Sequence, residues 1–197
     1  MGVASMVGLA TGAFVGTTVD NGLVTTAQVA AAPPRRRRRV VAGQFAGFAA
    51  IVALAAGGSA VLLELPLWVL GLLGLVPVAL AVREVVAVVR RGGRPPAPKD
   101  PVGSGWFTAA VVTLGSGGDN LAVYIPLFRQ AGPAWGTLAA VWLLALDAGL
   151  CAVAVWLALR PRALVLGHRV GAWLSPAAHL VVGVAVLVRA GTFSHLT

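Results

Sequence analysis

Two short polar stretches interrupt the long apolar runs of this chain, and each contains an Asp-Asn pair. The pairs are Asp20-Asn21 and Asp119-Asn120, and small residues precede both of them. A carboxylate in the middle of a membrane-spanning segment costs about 2.5–3.5 kcal/mol on insertion scales. Carboxylate and amide oxygens are the ligands that Mn²⁺, Ca²⁺ and Mg²⁺ take in proteins. The two stretches therefore predict a divalent-cation site at the midplane of a small membrane transporter.

The spacing around the second pair adds a phenol to this set. Tyr124 lies one helical turn after Asn120, so the two side chains share a helix face. We predict Asp20 and Asp119 as charged ligands of the metal. Asn21, Asn120 and Tyr124 are predicted as neutral ligands or as hydrogen-bond donors behind the ligands. When no cation is bound, burial and mutual repulsion favour the protonated form of the two carboxylates. This predicts that protons exchange for the cation.

Other polar side chains inside the apolar runs have more than one interpretation. Asp147 is predicted to act as a third ligand, a proton relay or a partner for a buried donor. Cys151 is interpreted as a packing residue and His179 as a hydrogen-bonded interior residue. Gln44 is expected to bond a neighbouring helix. Glu84, near the end of the third apolar run, is expected to reach the membrane interface.

The composition places the chain in a membrane. Hydrophobic residues make up 58% and charged residues 11% of the sequence, whereas soluble domains carry about 25% charged residues. The net charge of +9 is confined to the gaps between apolar runs, where it sets membrane topology, so no nucleic-acid partner is expected. The single cysteine excludes an intramolecular disulfide and a thiolate cluster. The chain has no recognisable catalytic pair or phosphate loop, so we expect neither an enzyme nor a cofactor.

The apolar runs predict an all-α polytopic membrane protein with six transmembrane helices. The predicted helices cover residues 3–32, 40–63, 67–89, 106–128, 134–159 and 171–188. Residues 1–90 and 104–197 form two three-helix repeats, joined by a cytoplasmic connector at 91–103. Because each repeat begins with an Asp-Asn helix and three is odd, the repeats are inverted. The basic loops place both termini outside.

Small residues at four-residue spacing predict close contacts between helices. Gly8, Gly12 and Gly16 form one such ridge, and Asp20 continues it toward a neighbouring helix. Gly43 and Gly47, in the GQFAG stretch, form a second such pair in the apolar run at residues 40–63.

Glycines also predict a distorted fourth helix. Gly115, Gly117 and Gly118 precede the Asp-Asn pair, and Pro126 follows it. A helix broken at this point exposes backbone carbonyls as extra cation ligands.

Three motifs together resemble the cadmium resistance transporter family, part of the lysine-exporter-like superfamily of six-span exporters. The motifs are GQFAGF at residues 43–48, LGLLGLVP at 70–77, and GGDN at 117–120 followed by YIPLF at 124–128. The resemblance covers about residues 5–160. It implies a plasma-membrane protein that exports Cd²⁺ or related divalent ions from bacterial cells. The family carries two consecutive acids in its first helix, whereas the second position here is Asn21.

Two other functions stay open at the level of sequence. Two acids between helices also bind an ammonium group, which predicts an exporter of a cationic amino acid or another small organic cation. A non-transporting scaffold or accessory subunit would use the polar groups only to join helices, so Asp20→Asn and Asp119→Asn would leave it unaffected. The predicted partners are the metal ion, as substrate, and the lipid bilayer. A homodimer is a further predicted partner, because six short helices enclose only a narrow transport pathway.

Overall fold

The computed structural model describes residues 2–61, 66, 69, 72–90, 105–160, 173–174, 176–177, 179–181 and 183–188, with the side chains of Val19 and Asp20 outside the description. The described elements are helices, and no strand occurs among them. In chain order they are α1 (Val3–Ala31), α2 (Pro34–Val61), a 3₁₀ turn (Leu72–Gly74), α3 (Leu75–Arg90), α4 (Trp106–Ser116), α5 (Gly118–Ala158) and α6 (His179–Val188).

Three helical segments are long and apolar enough to cross a membrane. They are α2, the 3₁₀ turn together with α3, and α5. A fourth is added if the two parts of α1, Val3–Thr18 and Asn21–Ala31, form one span despite the 57° bend between them. The predicted all-α membrane class is therefore confirmed, while six spans and an inverted repeat stay predictions.

The second helix begins earlier than the sequence predicted. It starts at Pro34 rather than at residue 40, so the arginine run at residues 35–39 is helical. Proline suits the first position of a helix because its φ angle is already helical. It has no backbone N–H, and an N–H at this position would have no acceptor within the helix. Arginine is also a good helix former, so the apolar boundary does not set the start of this helix.

The sequence predicted a turn at residues 129–133, between the helices at 106–128 and 134–159, but only Gly132 departs from helical geometry there. α5 continues through that point with a kink at Gly132, whose backbone has φ 72° and ψ 178°. Pro133 follows, and proline disfavours the helical conformation in the residue before it. A single glycine therefore separates two helical segments that the sequence predicted as separate spans.

The bundle is built around α5, which packs against α1 and α2, while α4 packs against α2. A methyl group on Gly47 would lie 2.8 Å from the Ala110 carbonyl oxygen, so α2 and α4 approach as the small-residue pair predicted. By contrast, a methyl group on Gly8 or Gly12 would meet no described atom within 4 Å. In the described part of the chain, the close helix contact predicted for these two glycines is wrong.

Aromatic rings fill the centre of the contact between α1, α2 and α5. The Phe14 and Phe48 rings pack edge to face with centroids 5.6 Å apart, and Phe48 and Tyr124 do so at 6.2 Å. All three side chains are buried. This apolar layer adjoins the polar groups described next, since Tyr124 belongs to both.

Candidate cation-binding site

Asp119 lies at a break between two helices. α4 ends at Ser116 and α5 begins at Gly118, with Gly117 between them. A methyl group on Gly117 would lie within 2.8 Å of Ile51 Cγ1, so α2 packs too close for a larger residue. The break predicted from the glycines is confirmed. It places Asp119 in the first turn of α5, where the helix dipole stabilises a carboxylate.

The carboxylate of Asp119 is buried and has two side-chain partners among the described residues. Its Oδ2 lies 3.0 Å from His179 Nε2, and its Oδ1 accepts a hydrogen bond from Asn120 Nδ2 at 3.3 Å. Asn120 is fully buried, and its amide oxygen has no hydrogen-bond partner among the described residues. The site therefore holds an acceptor oxygen beside a carboxylate, which is a suitable pair for a cation.

His179, on α6, contacts this carboxylate of α5 and also an acid of α3. Its Nδ1 lies 3.3 Å from Glu84 Oε2, so the imidazole is held between acids of α3 and α5. The interpretation of His179 as a bonded interior residue is confirmed. The side chain of Glu84 is 30% exposed and contacts His179, and its predicted reach to the membrane interface stays a prediction.

The first Asp-Asn stretch approaches the same helix break. Asn21 is buried, and its Oδ1 accepts a hydrogen bond from Ser116 Oγ at 2.6 Å. α1 and the end of α4 are thus joined beside Asp119. The side chain of Asp20 lies outside the described residues, so its predicted pairing with Asp119 stays a prediction.

Tyr124 forms a second contact between the same two regions. Its hydroxyl lies 3.1 Å from Thr17 Oγ1, and both side chains are fully buried. Thr17 is one turn before Asn21, and Tyr124 is one turn after Asn120. The phenol therefore bridges α1 and α5 one turn away from each Asp-Asn pair, and its predicted contact with a cation is untested.

Asp147 belongs to a separate polar group between α2, α4 and α5. Gln44 Nε2 donates to Asp147 Oδ1 at 3.4 Å, and Thr113 Oγ1 donates to Gln44 Oε1. Cys151 Sγ lies 4.0 Å from Asp147 Oδ2. Gln44 bonds neighbouring helices as expected. Of the three interpretations of Asp147, the structure contains the partner for a buried donor and does not test the other two.

The described side chains do not complete a metal site by themselves. Among them, no group of three His, Cys, Asp or Glu residues is arranged to hold one ion. Glu84 and Asp119 contact opposite nitrogens of His179, so one ion bound to that ring cannot reach both acids. A cation at Asp119 would therefore need ligands beyond these acids, and the buried amide oxygen of Asn120 is one available donor.

Sequence reasoning missed several members of the site. His179 and Glu84 carry no local signal of their contact, because they lie 95 residues apart. Thr17 and Ser116 each lie one turn before the Asn of their stretch. This spacing places Ser116 on the helix face of Asn120 and Tyr124, but it does not predict the contact with Asn21.

Long apolar helices that bury carboxylate, imidazole and amide groups beside a broken helix define a membrane transport protein. The sequence profile described as cadmium resistance transporter matches residues 14–197, and this chain belongs to that family. The match extends past residue 160, where the resemblance seen in the motifs ended. No curated protein and no solved structure gives a match.

Proposed function

We propose that this protein exports a divalent heavy-metal cation, Cd²⁺ or a related ion, from the cell. The observation that carries the proposal is the buried carboxylate of Asp119 beside the amide oxygen of Asn120, which has no donor within the described part of the chain. A buried amide oxygen without a donor is costly, and a cation held by the neighbouring carboxylate would satisfy it. Membership of a transporter family supports the same reading.

The proposed mechanism is alternating access by two inverted halves, residues 1–90 and 104–197, in the plasma membrane with both termini outside. Asp20 from one half and Asp119 from the other ligate the ion, with Asn21, Asn120 and Tyr124 in support. The hydrogen bond between Ser116 and Asn21 supports this arrangement, because it brings the two stretches together.

Proton coupling is part of the proposal. Protons replace the ion on the two carboxylates as the ion leaves, and Asp147 carries a proton between the two sides. Asp147 is suited to this role because it is fully buried and its described hydrogen-bond partners, Gln44 and Cys151, are neutral. A buried carboxyl group without a basic partner exchanges its proton without breaking an ion pair.

The test is uptake into inside-out membrane vesicles that contain the protein. Cd²⁺, Zn²⁺, Mn²⁺, Ca²⁺, Mg²⁺ and lysine are compared with and without a pH gradient, acidic inside. We expect saturable uptake of Cd²⁺ or a related metal that rises with the gradient. Asp119→Asn should reduce it to background, whereas Asp100→Asn, which removes a carboxylate from the predicted connector, should leave it unchanged.

Two results would reject the proposal. Uptake of lysine without uptake of any metal would assign the site to organic cations. Flux at background for every solute, with Asp20→Asn and Asp119→Asn indistinguishable from the wild type in cells, would indicate a scaffold.

A further inference from the structure

We infer that His179 is a further ligand of the transported cation and that Glu84 orients its imidazole. The inference rests on the proposed export function and narrows its substrate class. Imidazole nitrogen suits ions such as Zn²⁺ and Cd²⁺, whereas Mg²⁺ and Ca²⁺ prefer oxygen ligands. A site that contains His179 would therefore select the first group over the second.

The contact between His179 and Asp119 has the length of a hydrogen bond, so an ion shared by the two residues would replace the proton between them. Nε2 and Oδ2 are 3.0 Å apart, and both residues are at least 95% buried. In a tetrahedral zinc site with bonds of about 2.0–2.2 Å, two such ligand atoms lie about 3.4 Å apart. To admit the ion the two atoms would move apart by about 0.4 Å, and the side chains would turn from the nearly linear hydrogen bond to the tetrahedral angle.

Glu84 provides the contact that metal-binding histidines commonly have on their other nitrogen. Its Oε2 lies 3.3 Å from Nδ1, on the side of the ring away from Asp119. A carboxylate in this position accepts the Nδ1 hydrogen and fixes the ring with its Nε2 lone pair toward the metal. Glu84 is a positioning residue, since it does not share the ion.

Asn120 supplies an independent observation that a ligand belongs here. Its amide nitrogen bonds Asp119 Oδ1 at 3.3 Å, which holds the amide beside the carboxylate. Its amide oxygen is fully buried and has no donor among the described residues. A cation would accept that lone pair, so we propose Asn120 as an oxygen ligand beside Asp119 and His179.

The first experiment reads the ligands directly. Zn²⁺ is added to protein purified in detergent through a tag without histidine, and X-ray absorption at the zinc edge records imidazole scattering. The double variant His168→Gln/His195→Gln retains His179 as the one imidazole of the chain. We expect it to bind Zn²⁺ with an imidazole contribution, and His179→Gln to lose that contribution. Oxygen-only coordination in the double variant would overturn the inference, whether or not His179→Gln folds.

The second experiment separates the inference from the function on which it rests. In vesicles, His179→Gln should raise the KM for Cd²⁺ and Zn²⁺ more than that for Mn²⁺, and His195→Gln should not. Glu84→Gln should keep the imidazole signal but weaken metal binding by about 10–100-fold, as loss of a carboxylate partner does elsewhere. Wild-type vesicles without metal flux would reject the proposed function. Wild-type flux with unchanged ion selectivity in His179→Gln would reject the inference alone.

Discussion

Ser116 Oγ donates a hydrogen bond to Asn21 Oδ1 across 2.6 Å, and this bond joins two parts of the chain that are 95 residues apart. It connects α1 at its bend with α4 at its end. Asn21 directly follows Asp20 and Ser116 lies three residues before Asp119, so the contact limits how far apart the two Asp-Asn stretches can lie.

We expect a double-mutant cycle on this pair to reveal coupling. Asn21→Ala and Ser116→Ala should each lower the free energy of unfolding by about 1 kcal/mol, the usual net value of a hydrogen bond. Because both remove the same bond, the double variant should lose less than the sum. Reversible unfolding in mixed detergent micelles measures all four proteins. Strict additivity would mean that the bond contributes nothing to stability.

The contact between α2 and α4 predicts different effects for two glycines of one helix. Gly47→Ala should destabilise the protein by about 1–3 kcal/mol, as overpacking does, because the new methyl group meets Ala110 and Thr113. Gly57→Ala is the matched control, since no described atom lies within 4 Å of its added methyl group. The same unfolding titration compares them, and equal stability of the two variants would contradict the close packing.

The kink in α5 depends on a backbone conformation that only glycine adopts readily. Gly132→Ala should lower the free energy of unfolding by about 1–3 kcal/mol, the cost of a side chain in that region of φ/ψ space. Gly149→Ala, in the same helix with open space around it, should be neutral or stabilising. If both substitutions were neutral, residue 132 would not hold the conformation described here.

Substitutions at Tyr124 distinguish the contribution of its aromatic ring to stability from that of its hydroxyl. Tyr124→Phe keeps the contact with Phe48 and removes the one with Thr17, so it should cost about 1 kcal/mol. Tyr124→Ala empties a fully buried position and should cost about 3–5 kcal/mol. Unfolding titrations distinguish these values, and a Tyr124→Phe cost as large as that of Tyr124→Ala would place most of the stabilisation in the hydroxyl.

The proposed role of Asp147 predicts an uncoupled transporter. Asp147→Asn keeps an oxygen that accepts from Gln44 but cannot carry a proton, so the fold should persist. We expect metal uptake in vesicles to become insensitive to the pH gradient. Cys151→Ala is the control, because it removes a neighbour of Asp147 without changing the acid. Gradient-driven uptake in Asp147→Asn equal to that of the wild type would show that the proton travels elsewhere.

Several features followed from local sequence. The small number of charged residues and the long apolar runs indicated membrane-spanning helices. A segment in the bilayer core has no water to bond, so its backbone groups must bond each other. The break at Gly117 was predictable because consecutive glycines weaken a helix where they occur. Gln44 was expected to bond another helix, because an amide in an apolar segment needs a partner.

Other features depended on which helix faces meet. Nothing near His179 indicates that its ring lies between Asp119 and Glu84, and nothing near Gly8 distinguishes it from Gly47, which packs against another helix. Helix formation follows from hydropathy and hydrogen bonds within a few residues of one another. A partner on another helix is chosen by packing between segments far apart in the chain, so the contact of Asp119 with His179 was decided by the tertiary structure alone.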